Sequence, residues 1–181
     1  MEKETWNQHL GRRGLYSKGW KSKLPVNVWF DWEDELLTFP LWSSTGQLLG
    51  YQQYDWRADK LRNNDSKGRY YTYRRKDWLT FWGLEFIDLS STEPLYVVEG
   101  IWDAVSILNS GHRCIAVLSN NPQQLKNLLR CLPCKTIALC DGDKAGEMLS
   151  RVTDQRISLP TDKDCNDLSL SEIKDLISHS K

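Results

Sequence analysis

Two short acidic motifs stand at the centre of this 181-residue chain. Glu99 and Asp103 lie in VVEGIWDAVSIL, and Asp141 and Asp143 lie in ALCDGDKAG. Each motif follows an apolar run and leads into an amphipathic helical pattern. A spacing of two lets Asp141 and Asp143 face one cavity from an extended segment, and Gly142 permits a tight backbone turn. Four carboxylates in one crevice would repel and raise each other's pKa unless divalent cations neutralised them. The pattern therefore asks for Mg²⁺, or Mn²⁺ in its place, a hard ion that takes few protein carboxylates and completes its shell with water and phosphate oxygens. Two such ions about 4 Å apart would clamp the attacking and leaving oxygens of a phosphoryl transfer. Lys144 and the N-terminus of the helix it opens would add positive potential for phosphate. A third acidic group, Asp162, Asp164 and Asp167 in LPTDKDCNDL, is either a further metal-binding loop or an exposed acidic one. Asp103, in the first turn of a helix, is either a ligand or a helix cap.

The elements that must carry these acids can be read from hydrophobic periodicity. Leu95 to Val98 has the apolar run of a buried strand, and Ile101, Ala104, Val105 and Leu108 follow at helical spacing, ended by Gly111. Cys114 to Leu118 is a second strand. Leu125, Leu128, Leu129 and Leu132 mark a second helix, starting near Asn121-Pro122 because proline is tolerated in a first turn. Thr136 to Cys140, a helix over Ala145 to Val152, and a strand over Arg156 to Leu159 complete the alternation. Ser169-x-x-Glu172 is a capping box for a terminal helix. Strand and helix in alternation predict an α/β domain, a four-stranded parallel sheet flanked by helices. In such a sheet the functional crevice lies at the carboxyl ends of the strands, where Glu99 and the aspartates sit.

The first half has a different character. Eight of the nine tryptophans precede residue 93, so a change of architecture is expected near Ser90 to Pro94. Residues 1–92 are read as a small α+β, aromatic-rich subdomain, 93–168 as the catalytic domain and 169–181 as the C-terminal helix. GRRGLYSKGW suggests a short helix and loop. ELLTFPLW and QLLGYQQYDW, joined by SSTG, form a hairpin signal, and Arg69 to Tyr73 has the aromatic content of a further strand. Between Arg57 and Lys76 eight basic residues face two acids. Cations track phosphates while aromatic faces stack on bases. Arg57, Arg62, Arg69, Arg74, Arg75 and Lys76, with Tyr71 among them, are thus candidates for a single-stranded nucleic-acid groove, although each alone would also serve as a solvated face.

Composition narrows the classes. Lys+Arg and Asp+Glu are both 24, so only the local cationic block argues for a nucleic-acid partner. No apolar run approaches a membrane span and no signal-peptide h-region is present, which predicts a cytoplasmic protein without a membrane partner. Five cysteines suit a reducing compartment. Cys131 and Cys134 form a lone CxxC, too few ligands for a structural zinc site.

These motifs resemble the TOPRIM domain shared by DnaG-type primases, topoisomerases and some nucleases. VVEGIWDAVSIL is similar to its glutamate motif, ALCDGDKAG to its DxD motif, and LPTDKDCNDLS to the lPxxKDxND ending of bacterial and phage primases; LLTFPLWSSTGQLLGYQ is similar to the stretch ahead of TOPRIM in primases. Haloacid-dehalogenase phosphatases also carry DxD after a strand, but there Thr or Val follows the second aspartate, whereas Lys144-Ala145-Gly146 follows here. The resemblance implies a primase core that makes RNA primers on a single-stranded DNA template from NTPs. Glu99, Asp141 and Asp143 would take the catalytic positions, and with Asp103 and Asp164 the metal positions. No zinc-binding Cys/His set and no Walker A motif occur in these residues, and the lysine and asparagine usual just before TOPRIM in bacterial primases are not recognisable. The resemblance therefore implies a minimal core, with a separate zinc-binding module and a replicative helicase as partners, in a bacterial cell and encoded by a phage or other mobile element. The rival readings are a TOPRIM nuclease and a non-catalytic nucleic-acid-binding module that regulates replication.

Overall fold

The computed structural model describes residues 5–15, 28–31, 33–43, 45–61, 64–75, 80–118, 122–140, 144–161 and 163–179, without the side chains of Lys144 and Ala145. The chain forms two compact units: Ser22–Glu85, and Met1–Lys21 together with Phe86–Lys181. Composition alone places the division at residue 92 and keeps the N-terminus with the first half. The structure differs because the first helix, α1 (Trp6–Arg12), belongs with the later residues. This helix starts earlier than GRRGLYSKGW suggests. Thr5 caps it, accepting from the backbone N–H of Gln8 while the Gln8 side chain accepts from Thr5 N, a reciprocal capping box.

The first unit is a four-stranded antiparallel sheet in the order β1 (Trp29–Asp31), β2 (Leu36–Trp42), β3 (Leu48–Tyr54) and β4 (Tyr70–Arg74). The hairpin and the aromatic strand fall where periodicity places them; β1, three residues long, carried no signal. The β2–β3 turn is closed by Gly46 N–H to Ser43 O and Ser43 N–H to Gln47 O, with Gly46 at φ 78°. Pro40 lies beyond the Thr38 pairing of β1, so among the described residues β2 has one neighbour there, Tyr51 on β3, which suits a proline. Leu37, Phe39 and Leu41 point to one face and are fully buried, with Phe39 edge-on to Trp82 at 5.8 Å between centroids. On β3 only glycine fits at position 50, since a Cβ there would meet Tyr73 O at 2.2 Å.

The second unit is a parallel sheet in the order β6–β5–β7–β8, with β5 (Leu95–Val98), β6 (Arg113–Ala116), β7 (Thr136–Cys140) and β8 (Gln155–Ser158). Every residue of β5 and β7 is buried, as the continuous apolar runs require of a sheet covered on both faces. Helices α2 (Ile101–Asn109), α3 (Lys126–Cys131), α4 (Lys144–Ser150) and α5 (Leu170–Ser178) flank it, the last starting at the expected Ser169/Glu172 capping box. The chain leaves β5 for β6 on one side and returns to β7 on the other, so the strand order reverses between β5 and β7, the switch point at which open sheets place their ligands. Cys131 closes α3 and is exposed, Cys134 is buried, and both thiols are free. Among the described residues no helix is long and apolar enough to cross a membrane.

Candidate active site

Glu99 is the first residue beyond β5, and its backbone is held by the neighbouring strand. The ladder continues past the strand ends through Val117 N–H to Val98 O at 2.9 Å and Leu118 N–H to Glu99 O at 3.0 Å. Leu118 adopts φ 52° to make that bond, a left-handed conformation that costs a non-glycine residue roughly 1–2 kcal/mol. On the other side Leu159 N–H donates to Cys140 O at 3.2 Å, extending β8 along the end of β7.

Gly100 caps α2 without a side chain, which leaves room for Asp103 in the first turn to fold back over it. A Cβ on Gly100 would lie 3.0 Å from Asp103 Oδ2. Asp103 also adds to the upward shift of the Cys114 thiol pKa, which burial causes in the first place.

Asp164 opens a short 3-10 turn, Cys165–Asp167, and its Oδ1 accepts from Asn166 N at 3.0 Å and Asp167 N at 3.1 Å. Two side chains tie this turn to the helices. Cys165 is fully buried, and Asn166 Nδ2 donates to Ser106 Oγ on α2 at 3.0 Å. Arg13, just past α1, donates to Asn166 Oδ1 and stacks its guanidinium over the Trp102 ring, 5.2 Å from the centroid.

These pieces converge. Glu99, Asp103 and Asp164 line a single cleft of about 60 Å³ with Leu139, Cys140 and Leu159, at the carboxyl ends of β5, β7 and β8. Asp164 therefore serves both as a turn cap and as a wall of the cleft. Asp141, Asp143 and Asp162 lie outside the described residues, and Lys144 is described only as the first residue of α4. The donor set suits a hard divalent cation, being carboxylate oxygens on an apolar floor. Among the described residues no three His, Cys, Asp or Glu side chains already form a metal-holding group. Asn166, Arg13 and Gly100 were not read as functional from the sequence. Asn166 lies within LPTDKDCNDL and Gly100 follows Glu99 directly, whereas nothing local marks Arg13.

In the first unit the expected cations differ in their commitments. Arg57 pairs with Glu35 and, through Nε at 3.1 Å, with Asp55, and Asp55 is the main cause of its raised pKa. Arg69 Nε donates to Ala58 O at 2.9 Å, which pins the loop before β4. Arg74 and Arg75 are exposed at the end of β4. Tyr71 packs edge-on to Tyr51 at 6.5 Å. Arg62 and Lys76 lie outside the described residues.

Residues 96–176 match the family described as Toprim-like; no curated protein matches the chain. Among solved structures, the catalytic core of the E. coli primase is 22% identical over 80% of this chain and 51% of its own, with a TM-score of 0.58. A DnaG primase catalytic domain bound to ssDNA is 17% identical over 95% of this chain and 73% of its own, at a TM-score of 0.61. The primase fragment of the bacteriophage T7 primase-helicase protein is 14% identical over 80% and 62%, at 0.59. Residues 96–176 thus resemble the Toprim-like family, and the chain has the α/β fold of these structures. Together with the antiparallel sheet that precedes it, this domain resembles the catalytic core of DnaG-type primases, and the chain spans about half the length of the first two such cores.

Proposed function

We propose that the chain is a primase-type nucleotidyltransferase core that makes short RNA primers on single-stranded DNA. The observation that carries this reading is the convergence of Glu99, Asp103 and Asp164 on one cleft at the sheet's switch point. Likeness in fold to primase catalytic cores, one of them bound to ssDNA, supports it. Glu99, Asp103 and Asp164, with Asp141 and Asp143, would hold Mg²⁺ or Mn²⁺, which when bound neutralises triphosphate charge in nucleotidyl transfer. Glu99 acts as a metal ligand or as the base toward the attacking hydroxyl, and Asp141 and Asp143 complete the catalytic set. Lys144 at the start of α4 contributes charge for phosphate. Arg57, Arg62, Arg69, Arg74, Arg75 and Lys76, with Tyr71, hold the template. A replicative helicase and a zinc-binding module are its proposed partners, in the cytoplasm of a bacterial cell and from a phage or other mobile element.

The deciding assay incubates the protein with single-stranded circular DNA, labelled NTPs and Mg²⁺ or Mn²⁺, beside an Asp141→Ala/Asp143→Ala control. Template-dependent oligoribonucleotides made only by the wild type are expected. Cut DNA or RNA in place of primers would make the chain a TOPRIM nuclease. Salt-sensitive DNA binding with neither reaction, unchanged by added helicase, would make it a regulatory binding module.

A further inference from the structure

We infer that the face of the antiparallel sheet carrying Tyr51, Tyr71 and Tyr73 is a stacking platform for the bases of single-stranded nucleic acid. The pairing register sets these rings on one face: Tyr51 lies opposite Tyr73 and Gln53 opposite Tyr71. The alternate residues Gln52 and Tyr54 are buried on the other face with Phe39 and Leu37. Tyr51 and Tyr73 are stacked, 5.4 Å between centroids with planes 26° apart. Tyr71 braces Tyr51 from the side. Tyr73 nonetheless remains 53% exposed, so one side of its ring is held by Tyr51 while much of its surface is left to solvent. Trp29, 41% exposed, extends the same face, because it lies opposite Thr38 and Thr38 opposite Gln53.

A ring already fixed against a neighbour gives up little rotamer freedom when a base stacks on it, so binding is not offset by ordering. Charge chooses the occupant. Exposed Arg75, two residues past Tyr73, continues the β4 ladder, its N–H donating to Leu49 O at 3.1 Å, whereas Arg74, opposite Gly50, belongs to the other face. The acid nearest Trp29 on β1, Asp31, is turned to the backbone N–H groups of Glu33 and Asp34. Aromatic faces beside an exposed arginine suit a strand whose bases are unpaired and whose phosphates lie alongside. This platform deepens the template-binding part of the proposed function by assigning Tyr51 and Tyr73, and it rests on that reading only for the identity of the strand.

The test compares binding of labelled oligothymidylate with that of an abasic oligodeoxyribonucleotide of equal length, by fluorescence anisotropy on the full chain. The two strands carry the same phosphates, so their difference reports stacking. Wild type is expected to favour oligothymidylate about tenfold or more. Tyr73→Phe should keep the preference. Tyr73→Leu should lose most of it while binding the abasic strand as before, which also shows that the variant is folded. Equal binding of both strands by the wild type overturns the platform without any variant, and so does an undiminished preference in Tyr73→Leu. Primer synthesis is scored on the same preparations. Primers without base preference sink the platform alone, whereas base preference without primers sinks the proposed reaction alone.

Discussion

Arg13 and Asn166 are 153 positions apart in sequence, yet the guanidinium of one donates to the side-chain carbonyl of the other. Asn166 passes the constraint to α2 through Ser106, and its own N–H is one of the two that Asp164 caps. The end of the N-terminal helix thus braces the turn that sets Asp164 in the cleft.

A double-mutant cycle of Arg13→Ala and Asn166→Ala, read by urea unfolding, should give a coupling energy of about 1 kcal/mol, the scale of contacting residues. Each single variant should also raise the Mg²⁺ concentration needed for half-maximal activity. Additive stabilities with an unchanged metal requirement would mean that Arg13 does not position this turn.

Asp164 has two roles that substitution can separate. Asparagine keeps the cap, whereas alanine loses it at a cost of about 1 kcal/mol. Asp164→Asn should therefore unfold near the wild-type urea midpoint, and Asp164→Ala clearly below it. Both should lose nucleotidyl transfer to a similar extent, because both lose the charge. Full activity in Asp164→Asn would reduce the residue to a cap.

Gly100→Ala sets a Cβ 3.0 Å from Asp103 Oδ2, a distance that obliges the carboxylate to move by a few tenths of an ångström. Stability in thermal unfolding should fall by about 1 kcal/mol, since alanine is a poorer N-cap than glycine. Activity should fall about tenfold, in line with the sensitivity of catalysis to small displacements. Wild-type kinetics in this variant would show that Asp103 is structural.

Glu85 supplies the pH prediction. It is 3% exposed, accepts from Gly83 N–H at 3.2 Å, and leaves Oε1 buried without a hydrogen-bond partner. Burial raises its pKa from 4.5 to about 7. The folded state therefore binds the proton more tightly than the unfolded one, and stability falls as pH rises from 4.5 towards 7, by an amount on the order of 3 kcal/mol. The urea midpoint should drop between pH 5 and pH 8 in wild type. Glu85→Gln, uncharged throughout, should flatten that drop. An equal drop in both proteins would assign the pH dependence to other groups.

Much of the parallel sheet is local in origin. Apolar runs of four or five residues, helical repeats at i, i+3, i+4, i+7 and the Ser169/Glu172 box depend on neighbours in sequence, and they delivered β5 to β8, α2, α4 and α5 to within about two residues, whereas the helix expected from Pro122 opens as a 3-10 turn, Pro122–Leu125, and turns α-helical only at Lys126. The alternation also put Glu99 at a strand end, since any residue following a buried parallel strand emerges at the carboxyl edge. The three-residue β1 was invisible because its order comes from pairing with β2 and not from its own pattern. The placement of α1 with the second unit was equally hidden, resting on Arg13 against Trp102 and Asn166 and on Asn109 Nδ2 donating to Gly14 O. Residue types and spacing determined that this chain would present carboxylates at a sheet edge and a cationic, aromatic stretch elsewhere. Only the tertiary structure decided that Asp164 joins Glu99 and Asp103 in one cleft, that Arg57 pairs with Glu35 and Asp55, and that Tyr51 stacks on Tyr73, because strand order, register and long-range hydrogen bonds have no periodicity to announce them.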